Sequence, residues 1–288
     1  MIDRADPVMS DPPWAGPPGF GIGLRRIDRA DWLEGGEPRP WRRKDALQAR
    51  VPHRVWGEVE GSRPGQAEAA GLVAGALGIR LPGPGLPPLL RAARRVPDDL
   101  VLMERRDGDW AVSALSLCAG SFFTADEALG RSLEALHGPV PGFRESLLLR
   151  VRRIFDNLPA GAVLERRNWT VTALADLHAP EAAAARALAA RRRRDGAGRG
   201  FFLRCERQTL RRLPDTGGVL FTIRVHLSPL QALAAHPRAL SAFARAWAEA
   251  PADFRWYKGL SAVAPGVEAF LSANRPETAA RPSQGKSP

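Results

Sequence analysis

Residues 219–226 alternate strictly. Val219, Phe221, Ile223 and Val225 fall on one side of an extended chain, and Leu220, Thr222, Arg224 and His226 on the other. A period of two does not fit a helix, so the run predicts a strand whose second face suits solvent or a polar pocket. Residues 201–206 repeat the pattern and set Phe202, Arg204 and Glu206 together. Between the two lies a basic connection, Arg207-Gln208-Thr209-Leu210-Arg211-Arg212-Leu213-Pro214, and then Asp215-Thr216-Gly217-Gly218, a turn by composition. Asp107-Gly108, between the apolar runs 100–104 and 110–117, predicts a hairpin. Helices are expected at 66–77 with a break at Gly78, at 181–194, at 237–250 and at 144–158. In the last of these Leu147, Leu148, Val151, Ile154 and Phe155 share one broad face. Four prolines and two glycines make 81–88 a loop. Strands and intervening helices indicate an α+β fold on an antiparallel sheet.

No repeat or long linker divides the 288 residues, so a single domain over 21–273 is expected. The tails 1–20 and 274–288, rich in Pro, Gly, Ser and Ala, are expected to be disordered. The 44% apolar content allows a core large enough to enclose a cofactor. No stretch approaches the roughly 20 apolar residues of a membrane helix. The acidic, proline-rich start lacks the pattern of a secretory signal, so a cytoplasmic protein is expected.

The net charge of +11 raises the question of nucleic acid, but only Lys44, Lys258 and Lys286 are lysines, and the arginines are scattered. The one cluster, residues 191–194, reads as the solvated end of a helix, so nucleic acid is not an expected partner. Cys118 and Cys205 are too few for an iron–sulfur cluster that needs four thiolates, and buried thiols are the simpler reading. No Gly-x-Ser-x-Gly elbow, zinc helix or glycine-rich dinucleotide fingerprint is present.

The segment from Glu206 to Pro214, with Thr216-Gly217 and Phe221-Thr222-Ile223-Arg224, resembles the signature of the haem-dependent oxidative N-demethylase α-subunit-like proteins. Further blocks agree in order: Asp31-Trp32-Leu33 in an opening segment at 24–34, then Leu136-His137-Gly138-Pro139-Val140-Pro141-Gly142, Arg167-Asn168-Trp169 and Tyr257-Lys258-Gly259. The resemblance spans about residues 20 to 260. It implies a PAS-like sheet with surrounding helices holding haem b. It also implies a small secondary amine oxidised with O2, and electrons from a separate flavin and iron–sulfur reductase that uses NADPH. Two positions depart from the pattern: Phe122-Phe123, where relatives commonly carry a tryptophan, and His226, where an aromatic hydroxyl is frequent.

Haem iron needs an axial ligand, usually His, Cys, Met or Tyr. Of His53, His137, His178, His226 and His236, the family block singles out His137, whose neighbouring prolines restrict the backbone. His226 is the reserve, and a cysteine ligand is the minority alternative. Arg207, Arg211 and Arg224 are the candidates for the two propionates, unless they pair with Glu206, Asp215 or solvent. Trp169 either packs on the macrocycle or belongs to the core. Glu206, the acid inside the strongest motif, either receives the substrate ammonium or forms a structural salt bridge. Three functions follow: a haem monooxygenase subunit, a non-catalytic haem-binding PAS-like sensor or carrier, and a basic structural or nucleic-acid-associated protein.

Overall fold

Asp107 and Gly108 take positive φ of 50° and 83° and form the two-residue turn that matches the twist of the strands it joins. Those strands are β3 (Asp99–Arg106) and β4 (Asp109–Ser116). A Cβ on Gly108 would meet nothing within 4 Å, so its only cost is backbone conformation. Gly108→Ala should therefore lower stability by about 1–2 kcal/mol in urea denaturation, with no other change.

The computed structural model describes residues 7–16, 18–35, 39–81, 83, 85–192 and 198–274. Within them one antiparallel sheet is completed by β1 (Arg25–Ile27), β2 (Trp56–Glu58), β5 (Val163–Thr172), β6 (Phe202–Arg212) and β7 (Val219–Pro229). The order is β1-β5-β6-β7-β3-β4-β2. Both edge strands have three residues, which leaves little unpaired backbone for another chain to join. The fold is thus α+β on an antiparallel sheet, as expected.

The basic stretch does not form a connection. Residues 207–212 continue β6, and the turn is confined to 213–218. β5 is a further strand without an apolar alternation of its own. Both strands carry charges on faces that the fold covers, and those charges are neutralised from across the sheet. Glu165, 2% exposed, accepts Arg207 Nε at 2.5 Å, Arg25 Nη2 at 2.7 Å and Arg167 Nε at 3.1 Å.

Register divides the sheet into two faces. Glu165, Arg167 and Trp169 pair with Thr209, Arg207 and Cys205, which pair in turn with Thr222, Arg224 and His226. Arg166, Asn168 and Thr170 pair with Gln208, Glu206 and Arg204 on the opposite side. On the Arg207 face, helices Pro237–Glu249 and Leu260–Ala273 pack over Trp169, Val171 and Leu203. Helices Arg63–Leu77 and Pro88–Ala93 cover Leu100, Leu102 and Leu220 on the same face. On the Glu206 face, Leu210, Val219, Val101 and Leu115 lie under a π-helical turn, Phe143–Leu147, and the helix Leu148–Asn157 that continues it. Leu147, Leu148 and Phe155 are buried there, on the face their spacing predicts.

The amino-terminal stretch departs from its expected disorder. Val8, Met9 and Trp14 are core residues, and Trp14 donates to the Ala239 carbonyl at 2.9 Å. An aromatic ring anchors a segment whose composition alone reads as a tail. The last helix ends at Ala273, and 275–288 lie outside the described residues. Helix Ala182–Arg192 stands where a helix is expected. Arg192 bonds to the carbonyls of Ala173 and Gly200 rather than to solvent alone, while residues 193 and 194 lie outside the described residues. Among the described residues no helix is long and apolar enough to cross a membrane.

Candidate functional site

His137 ends the helix Leu133–His137 and lies half-buried with its ring stacked on Phe143, the centroids 4.3 Å apart and the planes within 8°. Its Nδ1 is 2.8 Å from the Leu133 carbonyl oxygen, which can only accept, so Nδ1 carries the proton. Nε2 is left with its lone pair. Burial lowers the pKa of this imidazole, outweighing the hydrogen bond to Leu133 that raises it, with the Arg166 charge adding to the fall. A neutral ring with a fixed tautomer is the form in which histidine binds a metal.

Around it the Glu206 face is polar and half-buried. Lys258 Nζ donates to Asn168 Oδ1 at 2.6 Å, and Thr170 Oγ1 donates to the Lys258 carbonyl at 3.1 Å. These bonds hold Tyr257-Lys258-Gly259 against β5. Burial pushes the Lys258 ammonium down to about 8, opposed by the Glu206 charge. Burial lowers Arg166 too, with Glu206 again opposing, and raises the Tyr257 phenol. Glu206 meets Arg204 Nε at 3.6 Å and accepts Gln208 Nε2 at 3.0 Å. The structure therefore brings four of the family-like blocks together: His137, Asn168, Glu206 and Tyr257-Lys258. Arg166 and Lys258 were not nominated as site residues from the sequence, although Lys258 lies inside the Tyr-Lys-Gly block and Arg166 directly precedes Arg167-Asn168-Trp169.

The remaining nominated residues lie on the other face. Arg207, 5% exposed, donates to Glu165, to the Trp32 carbonyl at 2.9 Å and to the Asp31 carbonyl at 2.5 Å. Arg211 lies over the Trp32 ring at 4.2 Å. Arg224 pairs in register with Arg207. Trp169 is 5% exposed among Trp14, Phe243 and Phe254, a core residue. His226 Nε2 is 2.8 Å from Glu34 Oε2, on the Arg207 face as well. The arginines chosen for propionates and the histidine chosen for iron thus do not converge, because β6 alternates and Glu206 and Arg207 point oppositely.

Both cysteines are buried and neither forms a disulfide. Burial, with the neighbouring Asp99 charge, pushes the Cys118 thiol up to about 11, which disfavours a thiolate ligand. Among the described residues no three His, Cys, Asp or Glu side chains gather to hold a metal ion. Phe122 and Phe123 are 45% and 41% exposed, so the departure there alters the surface rather than an interior pocket.

On the Glu206 face a groove of about 430 Å³, open to solvent, is lined by Ile22, Leu24, Ile154 and Leu164, with Arg150 and Arg153 also at its wall. Its size falls in the range of small-molecule and cofactor sites. Leu164 and Arg166 are consecutive residues of the same face of β5. Leu136 and Val140, which flank His137, pack against the same apolar cluster as the groove residues. An apolar floor, a neutral imidazole and under-compensated cations suit a flat apolar cofactor with anionic groups, and haem is such a cofactor. Residues 72–267 match the family model described as haem-dependent oxidative N-demethylase, alpha subunit-like, and the chain belongs to that family.

Proposed function

We propose that this chain is the haem-binding subunit of an amine monooxygenase, with the porphyrin on the Glu206 face of a PAS-like sheet. The observation that carries the reading is His137: half-buried, neutral by burial, its tautomer set by Leu133, on the face that holds the groove. Haem b, when bound, supplies activation of O2 and uptake of electrons. His137 would hold the iron through Nε2. Ile22, Leu24, Ile154 and Leu164 would provide an apolar wall for the macrocycle to pack on. The overall conversion takes a methylated secondary amine, O2, two electrons and two protons to the demethylated amine, formaldehyde and water. The α-subunit character of the family implies partner subunits. The proposed electron donor is a flavin and iron–sulfur reductase fed by NADPH.

The test is haem reconstitution. Wild-type protein should develop a Soret band with one equivalent of haem, and His137→Ala should lose it or shift it to the spectrum of free haem. An unchanged Soret band in His137→Ala removes this residue as ligand, and a protein that stays colourless with excess haem removes the reading altogether.

Glu206 favours a second reading. Arg204, Gln208, Lys258 and Arg166 already oppose or bond its carboxylate, which leaves it poorly placed to receive a substrate ammonium. A haem-binding sensor or carrier needs no such acceptor. Formaldehyde release from dimethylamine, dependent on NADPH and added reductase, separates the two: its absence in haem-loaded protein selects the sensor or carrier.

A further inference from the structure

Two cations on the Glu206 face lack the counter-charge that partly buried cations require. Arg166 enters no ion pair among the described residues, and its Nε is buried without a hydrogen-bond partner. Lys258 Nζ has one neutral hydrogen-bond acceptor, Asn168 Oδ1, and lies 5.8 Å from the centroids of the Phe254 and Tyr257 rings, although an ammonium carries three donors. Register places Arg166 and Asn168 two residues apart on one face of β5, roughly 7 Å along the strand. Lys258 and Arg166 therefore stand side by side. The acid facing both is Glu206, directly across from Asn168 in β6, and it also meets Arg204. Counting Arg166, Lys258, Arg204 and Glu206, three positive charges face one negative. Other arginines do have carboxylate partners: Arg207, Arg167 and Arg25 converge on Glu165, and Arg152 of the helix Leu148–Asn157 pairs with Asp109 at 2.6 Å, whereas Arg211 in β6 has the Trp32 ring instead. The excess at Arg166 and Lys258 lies on the face that carries His137 and the groove.

We infer that Arg166 and Lys258 form a carboxylate-binding subsite that receives a propionate of the porphyrin. The assignment rests on the proposed haem-binding function and replaces Arg207, Arg211 and Arg224 in that role. A guanidinium with an open Nε edge offers paired donors to a carboxylate, and Lys258 adds a point charge beside it. Arg150 and Arg153, exposed at the groove wall, contribute less because solvent screens them.

The test compares haem with its dimethyl ester, which keeps the macrocycle and iron but removes both charges. Affinities are read from Soret titrations of the full chain. Wild-type protein should bind the free acid at least tenfold more tightly than the diester, as expected for a charge-assisted hydrogen bond. Arg166→Gln and Lys258→Gln should each weaken free-acid binding roughly tenfold and leave the diester within about twofold. Arg166→Lys and Lys258→Arg keep the charge and should retain most of the preference, which separates loss of charge from loss of fold. Equal wild-type affinities for the two porphyrins overturn the subsite while leaving haem binding intact. Equal weakening of both porphyrins in the Gln variants also overturns it, since that is a structural effect. So does a preference that survives in them but disappears in Arg150→Gln or Arg153→Gln. A wild-type protein that binds neither porphyrin sinks the haem function itself, and the subsite with it.

Discussion

Glu165→Gln should lower stability by about 3–5 kcal/mol at pH 7, the usual consequence of removing one partner from a buried ion pair. Arg207 is 5% exposed and depends on Glu165 Oε2 at 2.5 Å, with Glu34 farther away at 3.2 Å. A neutral amide leaves that guanidinium in the protein interior with much of its counter-charge gone. Arg167 and Arg25 lose the same partner but reach solvent and Asp11, so their share is small. The pH dependence provides a second check. Burial alone would raise the Glu165 pKa, but the hydrogen bond from Arg25 and the charges of Arg207 and Arg167 carry it below the ordinary glutamate value. A depressed folded pKa stabilises above the unfolded value near 4.3 and is lost as pH falls through the folded one. The gap between wild type and variant, measured by urea denaturation, should be full at pH 7 and shrink below about pH 4. A gap under about 1 kcal/mol at pH 7 would show that the network contributes no more than a surface ion pair.

Asp98→Asn should act in the opposite direction. Asp98 is fully buried, and both carboxylate oxygens lack a hydrogen-bond partner. Burial pushes it up to about 6, against the attraction of Arg224 and Lys44. A raised folded pKa means that the folded protein holds the proton more tightly. Stability is then highest below the unfolded value near 3.9 and declines as pH rises through about 6. The asparagine variant escapes that decline, so it should gain about 2–3 kcal/mol at pH 8, and the gain should vanish near pH 4. Lys44, 1% exposed, keeps its hydrogen bond to the Asp98 backbone carbonyl at 2.5 Å in either case. A variant less stable than wild type at pH 8 would show that the Asp98 charge is needed to offset Lys44 and Arg224.

The parts that sequence reading captured share a local cause. The Asp107-Gly108 hairpin depends on which residues tolerate positive φ, and β7 on an alternation complete within eight residues. The helix over Leu148–Asn157 follows from apolar spacing within its own turns. β5 and the second half of β6 escaped because their inward charges look like solvent-facing ones until the partner strand is known. Glu165 is 42 residues from Arg207, and no local window contains both. Trp14 escaped for a similar reason, since its acceptor, the Ala239 carbonyl, is 225 residues away.

The chain order of motifs was enough to indicate the family, and the alternating runs the antiparallel sheet, because each is written in a few adjacent residues. Which side of the sheet each motif faces was decided only in three dimensions. Successive strand residues point to opposite faces, so one step separates Glu206, beside Lys258 and Arg166, from Arg207, sealed against Glu165 and Trp32. Pairing register and the helices packed on each side settle that parity. They draw on contacts between residues far apart in the chain, which no short stretch of sequence contains.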